Sequence, residues 1–232
     1  MSINTGAIMF LPALLCDSRL FKHAISRFSA DAKVIVPNIG GGENLSAMAA
    51  DILRSAPQRF ALVGNSMGGY LALEIAAQAS DRISHLALVG TNAHADFAEA
   101  REKRQQAIRL AEGGKFDQFV DSYVESALAP HHRVEHGPLM RTMARDLGPD
   151  VLVRQQKAIM ARVDHQPLLQ ELTMPSMVMF GREDGLSNEL HQQDMAKNLP
   201  TCRFFEVPDC GHLVPLEAQE LFSGALGALL QA

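Results

Sequence analysis

Six short apolar runs punctuate the chain: AIMFL at 7–11, KVIVP at 33–37, FALVG at 60–64, HLALVG at 85–90, SMVMFG at 176–181 and RFFEVP at 203–208. Each has the length of a strand and is apolar on both alternating faces, the pattern of a parallel sheet covered on both sides. Between the first four lie amphipathic stretches of helical length, at 17–29, 44–56 and 67–80. Strand alternating with helix predicts an α/β fold, a doubly wound, mostly parallel sheet of about six strands.

The alternation breaks after the fourth run. From about 93 to 165 the sequence reads as consecutive helices with no strand between them, and then strand and helix resume, with helical stretches after the fifth and sixth runs. The expected organisation is a discontinuous core, residues 1–92 and 166–232, interrupted by an all-helical lid at 93–165.

Length and composition bound the function. A chain of 232 residues with 47% hydrophobic and 20% charged positions buries a substantial core. The formal net charge of -5, without a Lys or Arg run longer than two, offers no field for nucleic acid. The opening MSINTGAIMFLPALLC carries no Lys or Arg before its apolar run and is too short to span a bilayer, so neither secretion nor membrane insertion is expected and the expected location is the cytoplasm. Three cysteines, Cys16, Cys202 and Cys210, without C-x-x-C spacing, predict free thiols rather than a disulfide framework or a thiolate zinc site.

The stretch Gly64-Asn65-Ser66-Met67-Gly68 fits G-x-S-x-G directly after a predicted strand and directly before a predicted helix. A serine on such a turn holds a strained backbone with its hydroxyl above the sheet, and Gly64 and Gly68 meet the steric demand where strand and helix backbones nearly touch. Neither G-x-x-x-x-G-K-[ST] nor G-x-G-x-x-G is present, which removes nucleotide binding. A serine nucleophile needs a base, and the base needs an orienting carboxylate. His212 follows the last predicted strand, in Pro208-Asp209-Cys210-Gly211-His212, and Asp184 follows the preceding one, in Gly181-Arg182-Glu183-Asp184-Gly185. Both loops fall at the sheet edge that carries Ser66. Glu183 and Asp209 are the rival acids; the position after the fourth strand reads Gly90-Thr91-Asn92, where Asn92 cannot serve.

The order Ser66, Asp184, His212, each after a different strand, resembles the α/β-hydrolase fold superfamily over nearly the whole chain. The resemblance implies an oxyanion hole of two backbone N–H groups, from Met67 and from Leu14 in the loop Leu11-Pro12-Ala13-Leu14-Leu15-Cys16-Asp17. That loop is similar to an LPGLLCD type, with Ala13 in place of the glycine, and Pro12 and Ala13 stand where other members show His-Gly. The implied activity is hydrolysis of a small or medium carboxylic ester, lactone or thioester through an acyl-enzyme on Ser66, with no cofactor and no metal. C–C bond hydrolysis, aminopeptidase and perhydrolase chemistry use the same triad, and a small-molecule receptor of this fold is the alternative from another class. The partner expected is a small-molecule acyl substrate. The charged sides of AREKRQQAIRL and RTMARDL are what solvated helices show, and an acyl-carrier-protein docking face would look the same.

Three histidines in the lid, His131, His132 and His136, do not fit H-E-x-x-H, and no acidic partner is evident among them. Met140, Met143 and Met160 are expected to pack the lid onto the core. Cys16 lies near the oxyanion loop with no base to pair it.

Overall fold

All six apolar runs become strands of one sheet in the computed structural model, which describes residues 4–232. The first three residues of the expected 1–92 core segment lie outside the described residues. The strands are β1 (Ala7–Leu11), β2 (Lys33–Ile35), β3 (Phe60–Asn65), β4 (Ile83–Val89), β5 (Ser176–Gly181) and β6 (Cys202–Val207), in the order β2-β1-β3-β4-β5-β6, and every pairing is parallel. A parallel pair needs a crossover on a sheet face, which explains why helices separate the strands in sequence.

The helices are α1 (Lys22–Phe28), α2 (Leu45–Ser55), α3 (Met67–Ala79), α4 (Ala98–Glu112), α5 (Phe116–Ala127), α6 (Arg133–Leu147), α7 (Pro149–Met160), α8 (Gln166–Leu169), α9 (Glu189–Asn198), α10 (Val214–Glu217) and α11 (Gln219–Leu229). Asn44 caps α2 by accepting the Ala47 N–H, so the helix starts at a residue whose side chain replaces the missing backbone partner. α3 is buried from Met67 through Ala76 except at Tyr70, packed between the sheet and α2. Its sequence is accordingly apolar nearly all round.

The four central strands are buried along their length, as their continuous apolar runs predict. The two edge strands differ from expectation. β2 has only three residues and exposes Lys33, and β6 exposes Arg203, Phe204 and Glu206. An edge strand has one neighbour and incomplete helix cover, and its charged residues discourage pairing with another sheet. The stretch 17–29 also departs from one helix: a 3-10 turn, Ser18–Phe21, precedes α1.

Between β4 and β5 the chain forms α4 to α7 without a strand. α4 packs against α5 and α7, and α6 against α5 and α7. Met140 and Met143 are buried there, whereas Met160 is half-buried. Because β4 and β5 are adjacent in the sheet, the two ends of this helical stretch meet, and the His165 N–H donates to the Ala93 carbonyl at 2.7 Å.

Candidate active site

Ser66 sits between β3 and α3 with φ 55° and ψ -114°, left-handed backbone that a side chain disfavours. Its surroundings hold it there. The Ser66 N–H donates to the Val89 carbonyl at 2.8 Å, and the Ser66 carbonyl accepts from Gly69 N, Tyr70 N and the Thr91 hydroxyl. A Cβ on Gly64 would lie 2.3 Å from the Gly68 carbonyl oxygen, and one on Gly68 would lie 1.9 Å from that of Leu11. Both flanking glycines are therefore steric necessities of the turn.

Asp184 follows β5 and His212 follows β6, and the structure joins them. Nδ1–H of His212 donates to Oδ2 of Asp184 at 2.8 Å, and the two side chains are 3% and 2% exposed. The other carboxylate oxygen, Oδ1, accepts the N–H groups of Leu186 and Ser187 at 2.8 and 2.9 Å. The carboxylate is thus fixed on both oxygens, one for the ring and one for its own loop. Glu183 is exposed, and Asp209 turns the loop with φ 50°, its carbonyl accepting from His131.

Ser66 and His212 line one cavity of about 460 Å³, without a direct hydrogen bond between the hydroxyl and the ring. Such contacts are often open until substrate arrives. Leu14 and Tyr70 line the cavity from the core, and Phe97, Arg104, Phe119, Tyr123, Gln156 and Ile159 line it from the helical stretch.

The loop after β1 folds as a turn. Cys16 N donates to the Ala13 carbonyl at 3.1 Å, Leu15 takes φ 51°, and its N–H donates to Oε1 of Gln155 on α7 at 2.9 Å. The hydroxyl of Tyr123 on α5 donates to the Leu14 carbonyl at 3.3 Å. Among the described residues neither Leu14 N–H nor Met67 N–H has a protein acceptor, although both residues are buried.

Four supporting residues escape the sequence reading. The Glu217 carboxylate accepts the N–H groups of Ala129, Gly211 and Leu213, bracketing His212. Nδ2 of Asn65 donates to the Val89 and His212 carbonyls. The Ser187 hydroxyl donates to the Gly90 carbonyl at 2.9 Å and lies 3.4 Å from His212 Nδ1. Arg104 is paired with Asp96 at 3.1 Å and donates to Gln156 at 3.2 Å on the cavity wall. Only Asn65, inside the G-x-S-x-G motif, carried a positional signal. Cys16 is out of contention as a nucleophile, because burial pushes its thiol far up.

A family model described as "alpha/beta hydrolase fold" matches residues 44–219. Among curated proteins, the pimeloyl-[acyl-carrier protein] methyl ester esterase of Vibrio parahaemolyticus is 28% identical over 215 residues, spanning 84% of this chain and 83% of that protein. The protein of the same name from Nitrosomonas europaea is 24% identical, over 81% and 77% of the two chains. A thermophilic esterase from Thermogutta terrifontis superposes with a TM-score of 0.89 at 24% identity, covering 100% of this chain and 92% of that one. The enol-lactonase from Burkholderia xenovorans LB400 does so at 0.86 and 19%, covering 99% and 92%. At these identities the solved structures speak for the fold.

Proposed function

Because the chain belongs to the α/β-hydrolase fold family, we propose that it is a serine esterase working through an acyl-enzyme on Ser66. The observation that carries this reading is the buried Asp184–His212 hydrogen bond opening onto the cavity that also holds Ser66. In the proposed reaction Nε2 of His212 takes the Ser66 proton as Oγ attacks the ester carbonyl. Asp184 keeps Nδ1 protonated and stabilises the imidazolium. The N–H groups of Leu14 and Met67, free of protein acceptors, bind the oxyanion, each contributing about 3 to 4 kcal/mol of transition-state stabilisation. The imidazolium then protonates the leaving alcohol. Water, deprotonated by His212, attacks the acyl-enzyme, releasing the acid and restoring the Ser66 hydroxyl.

The proposed substrate is a carboxylic ester with a small or medium acyl chain. A cavity of about 460 Å³ suits a ligand of that size, and its walls set aromatic and aliphatic side chains beside the polar Glu99, Lys103, Arg104 and Gln156. We divide the chain accordingly into a core, 1–92 and 166–232, and a lid, 93–165, that completes the acyl pocket. The curated relatives point to one member of this class, a methyl ester whose acyl group is carried by acyl-carrier protein. Lys103, exposed on α4 and lining the cavity together with the exposed Glu99, is the cation assigned to contact with such a carrier.

The test is reaction with a fluorophosphonate. The expected result is a mass increment on Ser66 that disappears in Ser66→Ala, followed by turnover of short nitrophenyl esters. Folded protein that takes up no label overturns the esterase reading and leaves a receptor of the same fold. Comparing free methyl esters of dicarboxylic acids with the acyl-carrier-linked forms then separates a carrier-dependent enzyme from a general one.

A further inference from the structure

We propose that His132, Glu135 and His136 form a binding site for a divalent transition-metal ion of the zinc class, at the start of α6 and outside the cavity of Ser66. The stretch His132-Arg133-Val134-Glu135-His136 has the order H-x-x-E-H, the reverse of H-E-x-x-H, and both orders set two imidazoles four residues apart on one helix face. Glu135 is the acidic partner that the forward motif does not find.

The geometry supports chelation. His132 ends a 3-10 turn and His136 lies one turn into α6, with ring centroids 5.4 Å apart. One ligand atom from each of the three residues falls within 4.8 Å of the others. A tetrahedral zinc ion with bonds near 2.1 Å needs donors about 3.4 Å apart, so small side-chain rotations close the set. Two of the three side chains are free to make them, since Glu135 is exposed and His132 half-buried. His136 is 9% exposed, and among the described residues no ring nitrogen of His132 or His136 has a hydrogen-bond partner. The nitrogens of both rings are reached by solvent, and hence by an ion. Two nitrogens and one carboxylate oxygen, with water completing the shell, match zinc rather than the all-oxygen preference of calcium or magnesium.

The site is tied to the segment that carries His212. The ring of His131 bonds the Asp209 carbonyl at 3.1 Å, the His212 N–H donates to the Ala127 carbonyl at 2.7 Å, and Glu217 bridges Ala129 to Gly211.

The proposal is tested by titrating chelator-stripped protein, free of affinity-tag histidines, with Zn²⁺ in a calorimeter. The expected result is one saturable ion per chain and a higher melting temperature with zinc present. Weakening of about ten-fold or more in His132→Ala or in Glu135→Gln, each melting like wild type without metal, supports the site. His23→Ala, on α1, serves as the control. No saturable binding to wild type, binding that both variants keep undiminished, or a loss equal to that in the control overturns it.

Discussion

Asp184 holds His212 through a 2.8 Å bond to Nδ1 while its second oxygen is occupied by the Leu186 and Ser187 amides. An amide in place of the carboxylate has a single acceptor oxygen: given to the Leu186 and Ser187 amides it leaves an NH₂ donor facing Nδ1, and given to the ring it turns that NH₂ toward the two amide donors. Asp184→Asn is therefore expected to lower kcat by about 10³ to 10⁴ with KM little changed and the fold retained. Steady-state kinetics on a nitrophenyl ester, with circular dichroism, check it. Near-normal kcat would remove Asp184 as the orienting acid.

Gly68 lies so near β1 that a Cβ would fall 1.9 Å from the Leu11 carbonyl oxygen and 2.7 Å from that of Pro12. Backbone atoms cannot swing aside as a side chain can. Gly68→Ala is expected to destabilise the protein by about 3 kcal/mol or more, read from urea midpoints. Gly41, whose added Cβ would meet nothing within 4 Å, provides the contrast: Gly41→Ala should melt like wild type.

Glu217 gathers three backbone N–H groups from the segments flanking His212. Glutamine has one acceptor oxygen and would turn an NH₂ toward donors. A loss of about 2 kcal/mol in stability is expected for Glu217→Gln, together with a fall in kcat, since the loop that aims the imidazole loosens. Stability loss with unchanged kcat would confine Glu217 to the scaffold.

Much of this site was legible because its chemistry is local in sequence. Ser66 announces itself by the glycines the turn demands, and Asp184 and His212 by standing just past apolar runs. Glu217 and Ser187 left no such mark, because their partners are backbone amides whose positions depend on how loops 181–188 and 208–213 fold. The same reasoning covers the edge strands. An apolar run such as RFFEVP shows strand length but not which strand ends the sheet, and Phe204 is 40% exposed because, among the described residues, no strand lies beyond β6.

Stability should be greatest between 6.5 and 9.0, the ordinary values of the groups concerned. Burial pushes the Cys202 thiol up to about 11 and those of Cys16 and Cys210 further, so above pH 9.0 the unfolded chain loses protons the folded chain keeps, and stability falls as pH rises. Burial lowers His85, His136 and His191 below 6.5, so on acidification the unfolded chain gains protons first and stability falls again. Urea midpoints at pH 5, 7.5 and 10, in chelator, check the arch; a midpoint rising from 7.5 to 10 would contradict it.

The bond from His165 to Ala93 means that residues 94–164 leave and rejoin the core at a single stem. Lengthening, shortening or exchanging that segment leaves the stem's spacing untouched, and the closure entropy of a loop grows only slowly with its length. Because Tyr123, Gln155 and Ala127 of that segment bond Leu14, Leu15 and His212, a replacement of any length must still bring those three partners with it.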